Sequence, residues 1–363
     1  MKRVFFIINC FSKGGGAEAL LTLIVNNLNP EKYEIGVMEI IHDTIKTEPI
    51  HENIKVYPYY TLADAPDRKS RMYSVYHEWD KVIREYIPQD YDVYVSFNYL
   101  KPSFLLPKGK KCIAWIHGDV YNLATDEMKE ERFLQSEAFG KADKIVAISD
   151  ITMQSLLDLF PEHKEKMVML CNGIDVENVR KKALEQTDVT LEHPAILSIG
   201  RVEDNKNPLR LLDIFEGLLE KVPNAHLYYL GYGDQCDLVL EKSIEKGINK
   251  SVHLLGYYDN PFPIIAQCDV VGMFSKSEGF PLALLEGVAL RKPFVSSVIG
   301  GARLLAAVSD CGTVVETNEK AIEAFDYYIK CDIQKKENAC DMTIKKFDLE
   351  HYIKEIERLL DSL

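Results

Sequence analysis

The segment "AILSIGRVEDNKNPLRLLDIF" (Ala195–Phe215) contains the plan of the chain in one repeat. "AILSIG" is apolar, partly β-branched and too short for a helix, so it is a buried strand. "RVEDNKN" is a polar loop. Pro208 then suits a first helical turn, where its missing N–H would have had no partner in any case. The same unit recurs along the chain. "VFFIIN", "YEIGVMEII", "VYVSF", "CIAWIH", "KIVAIS" and "VML" form one series, and "AHLYYLG", "VHLLGY", "VVGMFS", "PFVSSV" and "GTVVE" continue a second after "AILSIG". Apolar strands alternating with helices make parallel sheets covered on both faces. Two series imply an α/β protein of two doubly wound, Rossmann-like domains. The polar, strand-poor interval before Pro194 separates them. Residues 1–172 are expected as the N-terminal domain, 173–194 as a linker and 195–346 as the C-terminal domain, with an amphipathic helix over 347–363 opened by Asp348.

The length of 363 residues suits two domains, and 47% hydrophobic with 27% charged residues is globular composition. A net charge of −13 argues against nucleic acid as a partner, because neutralising phosphates needs a basic footprint. Eight cysteines occur without C-x-x-C spacing, which reads as reduced thiols rather than a disulfide framework or a zinc site. "MKRVFFIINC" lacks the length and cleavage site of a signal peptide, and no run approaches a membrane span. A cytoplasmic protein is expected, at most peripheral to a membrane. The basic-apolar patches Arg68–Tyr76 and Lys101–Lys111 are candidates for such contact, or simply a solvated helix face and a loop. Oligomeric state is not legible.

Ligands of parallel sheets bind beyond the carboxyl ends of the strands, where helix N-termini offer free N–H groups. Five such ends carry unusual residues. "FSKGGGAEALL" follows the first strand; Gly15 and Gly16 permit close backbone approach before a helix begins near Ala17. Gly14-x-Gly16-x-x-Ala19, with Glu39 downstream, also matches a dinucleotide fingerprint, but "FSK" separates strand from glycine. "WIHGDVYN" puts His117 at a strand end with Gly118 and Asp119 turning away. Arg201 and Lys206 flank a strand–loop–helix junction and can clamp a diphosphate, or be solvated charges paired with Glu203 and Asp204. "LGYGDQ" (Gly231, Gly233) and "LGYYDN" (Gly256, Tyr257, Tyr258) can bend beneath a flat ligand, or be turns.

The fifth end is "SEGFPLALLEG" (Ser277–Gly287). Glu278 falls on the loop and can simply cap the helix that follows Pro281. Glu286 falls inside that helix among Leu282, Leu285, Ala289 and Leu290, and an ionised carboxylate there is costly unless partnered. The two hydroxyls of a ribose would satisfy both its oxygens. The Asp90-x-Asp92 pair precedes its strand, the wrong pole for a metal-binding acid pair, and is expected as a structural turn.

Together these residues resemble glycosyltransferase family 4, retaining enzymes of the GT-B fold. The resemblance rests on "GGAE" (Gly15–Glu18), "NGID" (Asn172–Asp175), "GR" with Lys206 five residues on, and Glu278 to Glu286 followed by "KPFVSS". It implies two Rossmann-like domains facing across a cleft that takes a nucleotide-sugar, most simply a UDP-sugar, with no metal or other cofactor. Arg201 and Lys206 would neutralise the diphosphate and stabilise its departure. Glu286 would hold the ribose, and backbone at Gly231–Gly233 and Gly256–Tyr258 the base. Glu278 with Gly279, Phe280, Pro281 and Leu282 would bind sugar and phosphate. Gly15 and Gly16 would approach the phosphate. His117 would contact the transferred sugar, with Glu18 and Asp119 on the acceptor side. The final helix would cross back onto the N-terminal domain. This chain has "GFPLA" where members often have "GFGLP", a form found in builders of bacterial polysaccharide, so the acceptor implied is saccharide or lipid-linked. The competing readings are an NAD-dependent oxidoreductase using the Gly14–Ala19 loop and a non-catalytic nucleotide-sugar binder.

Overall fold

The apolar runs pair as parallel strands in two sheets. The computed structural model describes residues 1–12, 15–43, 50–123 and 129–363. The chain divides into two compact units, Met1–Asn172 with Tyr352–Leu363, and Gly173–His351.

The first unit holds β1 (Lys2–Ile8), β2 (Tyr33–His42), β3 (Lys55–Thr61), β4 (Val93–Ser96), β5 (Lys111–Ile116), β6 (Lys144–Ala147) and β7 (Met167–Met169). Their order is β3-β2-β1-β4-β5-β6-β7, so the central strands run through "VFFII" and "CIAWI". β3, "KVYPYYT", is absent from the sequence reading because Lys55 and Pro58 interrupt its apolar pattern. Pro58 is tolerated because β3 is an edge strand with one neighbour, β2. Phe5, Ile7, Met38, Tyr94, Ile116 and Phe139 are among the residues that close this unit's core. The final helix, Leu349–Asp361, buries Tyr352, Ile353, Ile356 and Leu360. Asp348 accepts from the His351 amide at 2.8 Å to start it. Tyr33 Oη donates to Asp361 at 2.7 Å and Lys2 Nζ to the Leu360 carbonyl at 2.7 Å, which ties the helix beside β1 and β2.

The second unit holds β8 (Ala195–Ile199), β9 (His226–Leu230), β10 (Val252–Gly256), β11 (Val270–Met273), β12 (Phe294–Ser296) and β13 (Gly312–Val314), ordered β10-β9-β8-β11-β12-β13. β8 lies where the order reverses, the place where open α/β sheets bind ligands. The helix Pro208–Leu219 buries Leu211, Leu212, Ile214, Phe215 and Leu218 against this sheet's core. Residues 173–194 belong to this unit and carry the helix Val176–Lys182. Arg180 bonds Asp341 at 2.6 Å and the Ala289 carbonyl at 2.8 Å, and Asn260 donates to the Lys182 carbonyl at 2.9 Å. Among the described residues, no helix is long and apolar enough to cross a membrane.

Candidate active site

In the second unit, β8 exits into Gly200, at φ +126°, and Arg201. A Cβ on Gly231 would sit 2.0 Å from the Gly200 carbonyl oxygen, and one on Gly233 would sit 2.1 Å from that of Val202. Backbone bonds run alongside, from the Gly200 amide to Leu230 at 3.0 Å and from Gln235 to Val202 at 3.0 Å. These glycines therefore let two strand-end loops touch backbone to backbone, and so set the position of Arg201. At Gly256, φ +79°, a Cβ would meet open space. Tyr232 and Tyr257 beside these turns are exposed, and Tyr258 is half-buried.

The cations of this loop are paired. Arg201 Nη1 lies 2.8 Å from Glu203, with three-quarters of its side chain in solvent. This is the local pairing that the acidic loop allowed. Lys206 instead reaches across to Glu278, Nζ to Oε1 2.5 Å, both largely sheltered. The loops beneath them are tied together. Asn205 Nδ2 donates to the Ser277 carbonyl at 3.0 Å, the Lys276 amide donates to the Asn205 carbonyl at 2.7 Å, and Lys276 pairs with Asp204 at 2.6 Å. Asn207, left-handed at φ 51°, then turns the chain into the helix begun by Pro208. Gly200 lies under the Lys206 stem, its would-be Cβ 3.5 Å from Cε.

Pro281 is the N-cap of the helix Leu282–Ala289. Phe280 turns its ring inward beneath Gly301 and 6.1 Å from Phe347, so only its backbone is left for a ligand. Among the described residues the amides of Gly279 and Phe280 have no protein acceptor, whereas that of Leu282 bonds the Phe280 carbonyl at 3.0 Å. Two free N–H groups at a helix entrance, beside a lysine, form an anion-binding arrangement. Glu286 sits one turn into the helix, partly buried. Its carboxylate has no partner among the described residues, and burial pushes its carboxyl up to about 7.

In the first unit, His117 follows β5 with its ring 4.1 Å from Phe97 and nearly parallel to Trp115. Nε2 is buried without a partner, and burial lowers the imidazole to about 3, so the ring is neutral. Thr152 Oγ1 donates to the Gly118 carbonyl at 2.9 Å, and Asp119 accepts from the Tyr121 amide at 3.0 Å as a turn cap. Glu18 folds back over Gly15, where a Cβ would be 2.4 Å from Oε2. Gly16 opens the helix Gly16–Asn27; Gly14 lies outside the described residues. Glu39, which the dinucleotide reading assigned to a ribose, is committed elsewhere. Almost wholly buried, it accepts from the Phe11 and Ser12 amides at 2.9 and 3.0 Å and from Ser12 Oγ at 2.8 Å, and it meets His42 Nδ1 at 2.5 Å. It braces the exit of β1. A lone acid in the apolar run "VMEII" was the available signal for that role. Asp90 and Asp92 hold Arg3, at 2.5 Å through Nη1 and 2.7 Å through its amide, as a structural turn. In the patch Lys101–Lys111, Phe104, Leu105 and Leu106 are core residues, while Lys108, Gly109 and Lys111 are exposed and Lys101 and Lys110 half-buried.

Two family models tile the chain: "Glycosyltransferase Family 4" over residues 14–178 and "Glycosyl transferases group 1" over residues 179–347. The chain belongs to glycosyltransferase family 4. Its fold is the GT-B fold of those transferases. The Anabaena HepE protein, solved in complex with UDP, superposes with a TM-score of 0.74 at 17% identity over 100% of both chains. A Campylobacter jejuni protein named N-acetylgalactosamine-N,N'-diacetylbacillosaminyl-diphospho-undecaprenol 4-alpha-N-acetylgalactosaminyltransferase is 33% identical over 190 residues, 52% of this chain and 51% of that protein. The chain thus spans about half the length of that relative. The trehalose synthase of Thermococcus litoralis is 25% identical over 99% of this chain and 90% of its own.

Proposed function

We propose that this glycosyltransferase moves a sugar from a UDP-sugar to a lipid-linked or polysaccharide-precursor acceptor, with retention of configuration and without a metal. The observation that carries this reading is the Lys206–Glu278 pair, 2.5 Å apart, in front of the free amides of Gly279 and Phe280. A diphosphate arriving there takes Lys206 from Glu278. The exchange places a cation on the phosphate and frees Glu278 to accept hydroxyl donors from the sugar. Arg201 leaves Glu203 in the same way. Two cations and two amides then stabilise the negative charge that develops on the departing UDP. Glu286, as carboxylate, accepts from both ribose hydroxyls, and exposed Tyr232 and Tyr257 offer faces to the base.

In the transfer step the bond from the anomeric carbon to the phosphate oxygen breaks, and the acceptor oxygen bonds that carbon from the same face. The leaving phosphate oxygen takes the acceptor's proton. This route asks for no nucleophile–base pair. His117, neutral, contributes hydrogen bonding to the sugar rather than a proton, Gly15 and Gly16 approach the donor phosphate, and Glu18 and Asp119 serve the acceptor side. The diphospho-undecaprenol in the Campylobacter relative's name supports a lipid-linked acceptor, and the UDP bound by HepE supports the donor. Membrane contact, on this reading, is electrostatic through Lys108 and Lys110, because the apolar part of that patch is core.

The test is a panel of nucleotide-sugars read by thermal shift and transfer, with the product anomer assigned by NMR. Lys206→Ala and Glu286→Ala should each lower kcat/KM on the order of 100-fold or more. Turnover at the wild-type level in both variants would sink the site assignment. Protection by NAD with none from UDP would replace the reading with an oxidoreductase.

A further inference from the structure

At the opposite pole of the second unit's sheet, His226 opens β9, and His253 is the second residue of β10. The register pairs Tyr228 with His253, and side chains alternate along a strand, so His226, Tyr228 and His253 share one face. The Tyr228 ring stacks on His253 at 4.4 Å and 14°, which fixes the imidazole plane. The same tyrosine's hydroxyl accepts from the Glu192 amide at 2.8 Å and so places that residue beside the pair. The neighbouring backbone is also anchored, with Asp269 holding both His193 Nδ1 and the Ala195 amide at 2.8 Å.

His226 Nδ1 lies 3.1 Å from His253 Nε2, and His226 Nε2 lies 3.8 Å from Glu192 Oε2. One ligand atom from each of the three residues falls within 4.8 Å of the other two. With zinc–nitrogen bonds of about 2.0–2.1 Å, two nitrogens of a tetrahedral site stand about 3.3 Å apart. The two imidazoles already stand close to that separation. His226 would ligate through the Nδ1 that faces His253; Glu192 lies nearer the other nitrogen but is mostly exposed, so its carboxylate has room to swing round and close the third side.

We propose that Glu192, His226 and His253 bind a divalent metal of the zinc class, with a fourth position left to water. Two imidazoles and a carboxylate are a donor set that zinc favours. β9 separates this site from the Arg201 loop by roughly 13 Å of strand, so the metal's work is structural: it staples the segment ahead of β8 to the edge of the sheet. Sugar transfer does not pass through it. Because ligand binding to the folded state raises stability by mass action, the staple is measurable without any activity assay.

The experiment titrates full-length protein, stripped by chelator, with zinc chloride by calorimetry, and follows melting temperature in parallel. One saturable equivalent and a rise of several degrees are expected in the wild type. His226→Ala/His253→Ala should lose both, and Glu192→Gln should weaken binding about tenfold. Circular dichroism confirms that the variants fold, and His253→Gln, which keeps much of the side-chain bulk against Tyr228, must also lose the equivalent. No saturable zinc in the wild type, or an equivalent retained in the double variant through the free thiols, overturns the proposal.

Discussion

Glu286 and His117 are pushed in opposite directions by one cause. Burial penalises whichever form is charged, so the carboxyl rises to about 7 and the imidazole falls to about 3. For Glu286 the folded value lies above the unfolded one of about 4.3. The stability it contributes is complete below that unfolded value and is lost as pH rises through about 7. Glu286→Gln, which stays neutral, should therefore raise the melting temperature of the ligand-free protein by a few degrees at pH 8 and by little at pH 5. On the proposed function, the same substitution removes an acceptor of two ribose hydroxyls. UDP affinity should climb between pH 6 and pH 8 in the wild type and stay flat, about tenfold weaker at pH 8, in Glu286→Gln, as read by calorimetry. His117, neutral throughout, should add no limb to the pH–rate profile over that range, and His117→Asn should leave the shape of the profile unchanged.

Arg201 is presented by a loop that other loops brace. Gly231 and Gly256 look equivalent in "LGYG" and "LGYY", yet they answer different steric demands. A Cβ at Gly231 would collide with the Gly200 carbonyl at 2.0 Å, and one at Gly256 would enter open space. Both have positive φ, which costs a side-chain-bearing residue about 1–2 kcal/mol. Gly256→Ala should lose about that much stability and keep UDP binding. Gly231→Ala should lose distinctly more, about 3 kcal/mol, and displace Arg201, so that UDP binding falls with it. Chemical denaturation and calorimetry on the pair distinguish the two roles. In the first unit the corresponding brace is Glu39, a buried carboxylate that binds the loop after β1 by three hydrogen bonds from Phe11 and Ser12.

Across the whole molecule, the two units depend on different parts of the chain. The last residues, Tyr352–Leu363, belong to the first unit although they follow the second in sequence. Truncation after Asp348 removes four buried side chains, Tyr352, Ile353, Ile356 and Leu360, and strands Tyr33 without Asp361. Hydrogen exchange in β1 and β2 should accelerate in the truncated protein, while UDP-induced protection around Arg201 and Glu286 persists. Loss of that UDP protection would show that the donor site depends on the final helix.

By itself, the sequence determined the two-sheet plan, because buried parallel strands must be apolar on both faces and such runs are legible without context. It also marked Arg201, Lys206, Glu278 and Glu286, since charge beside a core strand is conspicuous. β3 escaped because an edge strand tolerates Lys55 and Pro58. Which charges meet was decided only in three dimensions. Lys206 chooses Glu278, distant in sequence, over its acidic neighbours, and Gly231 serves the Gly200 carbonyl rather than a turn of its own. His226 and His253 likewise come together only through strand register, and Glu192 joins them through its amide's bond to the Tyr228 hydroxyl. Local pattern reports what a residue must be buried in, and only the packed sheet sets which side chains share the space.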